Sequence, residues 1–213
     1  MLNFEETIKT LRAALARPLP GADAHALLAP RLGREWPAGS TAADARHAAG
    51  LLLVVPIDAR PHVVLTVRSG RLARHSGQIS LPGGVVERGE SFEQAALREA
   101  HEEVGLALDG VSVIGALTPL DIAVSRFRLH PIVAAAASRP ALRPADGEVE
   151  RILEIAIDDL MSDSRLATGT RVREGRTLTV PLFRFGRDEI WGATAMILAE
   201  LLVLLGWPRR VPR

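Results

Sequence analysis

The 213-residue sequence has no cysteine, no tyrosine and only one lysine, Lys9. Without cysteine there is no disulfide, no thiolate nucleophile, no iron–sulfur cluster and no cysteine-ligated zinc. That composition fits a reducing compartment. Aromatic residues make up only 4%, and no basic stripe runs between them, which argues against a nucleic-acid partner. Charge of one sign is lacking too. The 26 basic and 25 acidic residues leave a net +1, so no bulk field exists to hold a polyanion. Long apolar runs are also missing. The most apolar stretch, 195–207, is short and carries Glu200; it reads as a buried helix rather than a membrane span. The first 17 residues include Glu5, Glu6 and Lys9 and lack the apolar segment of a signal peptide. A soluble, cytoplasmic protein with no membrane partner is expected.

What is present suits one globular domain over 1–213. Hydrophobic residues reach 47% and charged residues 24%, enough for a sizeable core. Phe4, Ile8, Leu11 and Leu15 recur at helical spacing and predict a helix over 3–16. Residues 18–48 hold Pro18, Pro20, Pro30 and Pro37, with room for a short helix at 22–29. Residues 1–48 thus form a helical, proline-rich N-terminal extension to a core over 51–205. Leu51–Ile57 is a continuous apolar run, read as a buried strand. A turn at Asp58–Pro61 leads to a second strand, Val63–Arg68. Further strands are expected at 85–87, 111–117, 127–136, 150–157 and 177–185, and a last helix at about 190–205. Strands mixed with helices, without strict alternation, predict a mixed α/β fold: a mixed sheet between helices.

The clearest helix runs over 91–104. Ser91 is a good N-cap, and Gln94 completes a capping box. Gly105 stands where a left-handed C-terminal residue belongs. Ala96 and Ala100 form a small face that can lie close to a sheet. On another face, Glu99, Glu102 and Glu103 stand at i, i+3 and i+4. Three adjacent carboxylates repel one another, so this face gains from a cation. Oxygen-only ligands suit Mg²⁺ or Mn²⁺, which keep waters and complete their shell with substrate phosphates. Arg98 can pair with Glu90 across the helix start and hold the preceding loop against this face. Gly83 and Gly84 allow a close backbone approach.

Together these residues read Gly84, five residues, Glu90, seven residues, Arg98-Glu99-Ala100-His101-Glu102-Glu103-Val104-Gly105-Leu106. This resembles the Nudix box, G-x5-E-x7-R-E-U-x-E-E-x-G-U, with U a bulky aliphatic. Every fixed position matches, and only Ala100 is smaller than usual. With each residue type at about 7% or less, chance agreement at one start is on the order of 10⁻⁸. The resemblance implies an α/β/α sandwich and Mg²⁺-dependent hydrolysis of a diphosphate linked to another group. It implies Glu99 and Glu103 as the main metal ligands, Glu102 as a further ligand, and the Gly83 carbonyl as a contributor.

Upstream, Leu65, Thr66, Arg68, Ser69, Gly77, Pro82, Gly83 and Gly84 match L-L-T-x-R-S-x3-R-x3-G-x3-F-P-G-G. That pattern resembles the coenzyme A diphosphatase group. Val64, Ala73 and Leu81 depart from it, replacing leucine, arginine and phenylalanine. Trp191-Gly-Ala-Thr-Ala195 and the stretch 117–133 also resemble that group. The implied substrate is coenzyme A or an acyl-coenzyme A, and the products are 3′,5′-ADP and 4′-phosphopantetheine or its acyl form. Arg68, Arg71, Arg74, His75 and Gln78 surround this segment, and arginine forks suit phosphate oxygens. Glu148 is the candidate general base, with Glu150, Asp121 and Glu102 as alternatives. Two other readings stand beside this one. One is a Nudix hydrolase of ADP-ribose, a dinucleotide or a nucleoside triphosphate. The other is a silent nucleotide-binding module, against which the complete glutamate set argues. The sequence leaves monomer and homodimer open.

Overall fold

The computed structural model of the protein describes residues 1–30, 41–69, 77–123, 125–145, 147–173 and 176–208. Its N-terminal part carries helices α1 (Phe4–Leu15) and α2 (Gly21–Ala26). The apolar run that follows begins earlier than its composition suggests. Strand β1 spans Arg46–Ile57, because the polar Arg46 and His47 are drawn into pairing with neighbouring strands. Strand β2 spans Arg60–Arg68. The turn between them is narrower than expected: only Asp58 and Ala59, both with positive φ, the conformation of a two-residue type I′ hairpin.

β1 and β2 pair only at the hairpin end, from Val54 opposite Val63 to Ile57 opposite Arg60. Beyond that they splay apart, and the gap is filled by two short strands. β3 (Ile79–Ser80) pairs with β2, and β4 (Gly83–Val85) pairs with β1. β4 therefore lies two residues earlier than the expected 85–87. Pro82 between them accepts a 2.8 Å hydrogen bond from the Leu51 N–H. The turn at the start of the glutamate-rich segment is thus wedged into the centre of the sheet.

Helix α3 (Phe92–Val104) follows, with the expected capping box. The Ser91 N–H donates to Gln94 Oε1 at 2.8 Å and the Gln94 N–H to Ser91 Oγ at 3.1 Å. Gly105 closes the helix in the left-handed conformation, φ 66°. Strands β5 (Val111–Ala116), β6 (Leu120–Ile122), β7 (Phe127–Ala136) and β8 (Val149–Ala156) complete the main sheet. β7 runs parallel to β1, β5 and β6 line its outer side, and β8 lies against β2. The sheet is mixed, as expected. Burial on both faces explains why β1 is apolar rather than alternating.

Ala95, Ala96, Ala100 and Val104 of α3 share one buried cluster with Ala49, Leu51, Leu53 and Val64. The other sheet face, Leu52, Val54, Leu65 and Val67, belongs to a second cluster with α1 and two later helices, α4 (Ile157–Met161) and α5 (Gly192–Leu204). This is the three-layer arrangement of helix, sheet and helix. The N-terminal extension is part of it, since Phe4, Ile8, Leu11 and Leu28 are core residues.

A second, three-stranded antiparallel sheet lies against α5: β9 (Leu166–Arg173), β10 (Arg176–Phe185) and β11 (Asp188–Trp191), in the order β11-β10-β9. Only β10 is expected from the sequence. β9 is interrupted by Gly169 and arginines, and β11 begins with two acids. Covered on several sides, α5 is buried without a break from Thr194 to Leu202, as a helix apolar all round must be. Its one charge, Glu200, is fully buried. Glu200 accepts hydrogen bonds from the Gly21 N–H at 3.0 Å, the Thr118 N–H at 3.2 Å and the Thr118 hydroxyl at 2.6 Å, and lies 2.9 Å from His25 Nε2. Burial would raise this carboxyl, but the hydrogen bonds from His25 and Thr118 outweigh it and hold it below the usual carboxylate range. Among the described residues, no helix is long and apolar enough to cross a membrane.

Candidate active site

Neither glycine at the wedge could take a side chain without a neighbour shifting, backbone at Gly83 and the end of a side chain at Gly84. A Cβ on Gly83 would stand 2.6 Å from the Gly50 Cα and run into the Ala49 carbonyl. A Cβ on Gly84 would meet the Glu99 carboxylate, with Oε2 at 2.6 Å. β4 therefore lies flush against both β1 and the acidic face of α3. The Gly83 N–H donates to Glu103 Oε2 at 3.1 Å.

Arg98 organises the loop between β4 and α3. Its Nε donates to Glu90 Oε1 at 2.9 Å and its Nη2 to Glu90 Oε2 at 3.1 Å. Nη2 also donates to the Val85 carbonyl at 3.1 Å. Nη1 reaches Glu99 Oε1 at 2.9 Å and Glu102 Oε2 at 3.1 Å. The expected Glu90–Arg98 pair thus forms, as a two-pronged fork. The hydrogen bond to Glu90, with that to Glu99, holds the guanidinium above its ordinary range. In return Arg98, together with the Glu87 N–H, holds the Glu90 carboxyl below its own.

Glu99, Glu102 and Glu103 share one helix face, as their spacing requires. Their exposures differ sharply: the side chains of Glu99 and Glu102 are 18% and 53% exposed, and Glu103 as a residue is 6% exposed. Among the described residues no three acidic or histidine groups form a closed metal cage; these carboxylates are turned toward Arg98 and the Gly83 N–H. The donor set still fits a hard divalent cation. Mg²⁺ uses one or two carboxylates and draws its other ligands from water and phosphate. Glu99 and Glu103 flank the glycine strand, where nothing larger than hydrogen stands between backbone and carboxylate.

A second pair of expected residues is brought together from far apart in the chain. Arg68, at the end of β2, donates from Nη2 to Glu148 Oε2 at 2.8 Å. The backbone reinforces the pair: the Ser69 N–H donates to the Glu148 carbonyl at 2.7 Å, and the Arg68 N–H to the Gln78 carbonyl at 3.0 Å. Arg68, Gln78 and Glu148 therefore form one cluster beside β3. Arg71, Arg74 and His75 lie outside the described residues. Of the alternative bases, Glu150 is exposed near the start of β8. Asp121 is engaged elsewhere, in a two-pronged pair with Arg128 at 2.7 and 3.0 Å.

Two groups near the site escape a reading of the sequence. His47 of β1 and His130 of β7 lie 2.9 Å apart, ring nitrogen to ring nitrogen, with Phe92 of α3 stacked on His130 at 3.5 Å between centroids. Burial, followed by the neighbouring His47 and Arg128, pushes His130 below the ordinary imidazole range. The other group is a cleft between β3 and the second sheet, lined by Gln78, Ile79, Arg171, Glu189 and Trp191 among others. Gln78 and Trp191 carry a sequence signal, through the segment before the glycines and through Trp-Gly-Ala-Thr. Arg171 and Glu189 lie in strands with no such mark.

Residues 46–172 match the family described as NUDIX domain. An uncharacterized Nudix hydrolase, NudL, of Citrobacter koseri is 35% identical over 162 residues, spanning 76% of this chain and 84% of that protein. A NudL of an Enterobacter species is 32% identical over 181 residues, spanning 84% and 90%. Among solved structures, a Nudix hydrolase from M. smegmatis, RenU, superposes with a TM-score of 0.54 at 21% identity, covering 87% of this chain and 98% of its own; that likeness speaks to the fold.

Proposed function

This chain belongs to the Nudix family of hydrolases, and we propose that its substrate is coenzyme A or an acyl-coenzyme A. Hydrolysis at the diphosphate would yield 3′,5′-ADP and 4′-phosphopantetheine or its acyl form. One observation carries this reading above a general diphosphatase. Two of the three segments that resemble the coenzyme A group, 64–84 and 191–195, are more than 100 residues apart, yet they meet. The Thr194 hydroxyl donates to the Ile79 carbonyl at 2.9 Å, and Gln78 and Trp191 line one cleft.

Glu99 and Glu103 are the residues that would hold Mg²⁺ or Mn²⁺, with Glu102 and the Gly83 carbonyl contributing. Such an ion, when bound, neutralises diphosphate charge and lowers the pKa of its water. The chain's own residues then have distinct tasks. Arg98 and Glu90 keep the glycine strand against the acidic face. Glu148 accepts a proton from the attacking water, with Arg68 fixing its carboxylate. Arg68, Gln78 and the backbone at Gly84 position the substrate.

The test is a substrate panel: coenzyme A, dephospho-coenzyme A, ADP-ribose and a diadenosine compound. A charge-assisted phosphate contact contributes roughly 1.5–3 kcal/mol, so kcat/KM for coenzyme A should exceed that for ADP-ribose by about ten- to a hundredfold. Dephospho-coenzyme A should fall between them, and Arg68→Ala should narrow the gap. Equal or better hydrolysis of ADP-ribose overturns the coenzyme A assignment.

A further inference from the structure

We propose that the cleft between β3 and the second sheet is a subsite for the purine base of the substrate, selective for an amino-purine such as adenine. The inference rests on the diphosphatase reading above but does not require that the substrate be coenzyme A. The cleft measures about 410 Å³, within the range of small-molecule sites. Its lining is suited to a flat ring. The Arg171 guanidinium lies over the Trp191 ring at 4.8 Å, and Glu189 fixes it from the side at 2.7 Å. An indole and a guanidinium plane are thereby held in place before any ligand arrives. Bases stack on both kinds of surface.

The polar edge of the cleft adds selectivity. Glu189 accepts from Arg171 and, at 3.1 and 2.8 Å, from Arg184. These two arginines hold its carboxyl below the usual range. Glu189 is therefore an acceptor only. It favours a base whose six-position is an amine, and disfavours one with a carbonyl there. A pantetheine chain has no aromatic ring to stack on these surfaces.

The cleft also lies at a suitable distance from the chemistry. Ile79 lines it, and Gly83 stands four positions further on, at most about 14 Å of chain. A nucleoside hanging from a phosphate beside Gly83 reaches back along β3 into the cleft. The second sheet would then serve as the base-recognition element added to the Nudix core.

The experiment compares the wild type with Trp191→Leu, Trp191→Phe and Arg171→Gln. Steady-state kinetics are measured on coenzyme A, ADP-ribose and the hypoxanthine analogue of ADP-ribose, with a melting curve for each variant. Trp191→Leu should raise KM for both adenine compounds about five- to a hundredfold, with the larger change in KM rather than kcat. Trp191→Phe should recover most of that loss, and the hypoxanthine analogue should have a raised KM in the wild type. An unchanged KM in folded Trp191→Leu and Arg171→Gln overturns the subsite. If Trp191→Leu does not fold, Arg171→Gln and the wild-type base comparison decide, and equal KM values for the two bases overturn it. A wild type that prefers ADP-ribose removes the coenzyme A assignment while leaving the subsite standing. A coenzyme A preference with no effect of Trp191 or Arg171 on KM removes only the subsite.

Discussion

Replacing Arg98 by alanine tests whether the loop before α3 is held by charge. Arg98 uses its guanidinium on Glu90, Glu99, Glu102 and the Val85 carbonyl. Its removal leaves the side chains of Glu90 and Glu99, 14% and 18% exposed, without a counter-charge. Stranding one member of a fully buried pair costs about 3–5 kcal/mol. These carboxylates keep some water and Glu90 keeps the Glu87 N–H at 3.0 Å, so about 2 kcal/mol is reasonable here. A chain of this size loses roughly 2–4 °C of Tm per kcal/mol, so a fall of about 4–8 °C is expected. The pH dependence follows from Glu90, whose carboxyl sits below its ordinary 4.5 in the fold. A depressed carboxylate contributes stability above its unfolded pKa, and that contribution is lost as pH falls through the folded value. The Tm gap between wild type and variant should therefore be full above about pH 5 and close on acidification below 4.5. Arg98→Lys should recover less than half of the gap, since a point charge cannot fork. Activity should fall severalfold with the loosened glycine strand. A variant within 2 °C in Tm and within about twofold in activity would refute this account of the clamp.

Glu103→Gln keeps the shape of a buried group and removes a charge, so metal-free Tm should hold while kcat drops about a hundredfold or more on every substrate; a metal-free loss of many degrees would make Glu103 a structural residue. Gly83→Ala must displace the β1 backbone and should yield little folded protein, whereas Gly84→Ala displaces only the flexible end of Glu99; circular dichroism and the metal concentration for half-activity separate the two, and an unaltered metal requirement in Gly84→Ala contradicts the placement of Glu99. Glu200→Ala strands His25, Thr118 and the Gly21 N–H at a buried site, for about 3–5 kcal/mol and roughly 6–20 °C of Tm, while the folded fraction keeps its kcat; a selective loss of turnover at constant Tm would refute a purely architectural role.

How much of this was legible depended on whether the information was local. The helix at 92–104 declared itself through Ser91, Gln94 and Gly105, all within one segment, and the Glu90–Arg98 pair needed only a loop and a turn of helix. The Arg68–Glu148 pair could not be read that way. It depends on β8 lying against β2, and register between strands 80 residues apart leaves no local trace. β1 begins at Arg46, not Leu51, because pairing with β4 and β7 overrides composition. The second sheet was half hidden: β10 has an apolar pattern, but β9 and β11 are polar strands held by their neighbours. Glu200 reads in the sequence as a charge that spoils a membrane span. In the fold it is the anchor of α2 and the loop at Thr118.

The burial of α5 on all sides also sets an order of assembly. Gly21 and Glu200 are 179 positions apart, so during synthesis α2 exists long before the carboxylate that fixes it. At about 5–20 residues per second, that interval is roughly 9–36 s. Throughout it, Phe4, Ile8 and Leu11 share no cluster with α5, and the apolar sheet face they help cover stays partly open. The layer carrying α3 can close first, since its buried residues all precede residue 137 and only the partly buried Leu142 and Ile152 join it from later in the chain. Nascent-chain surveillance by chaperones should therefore concentrate on the α1 side of the molecule and end when Leu201 and Leu202 emerge.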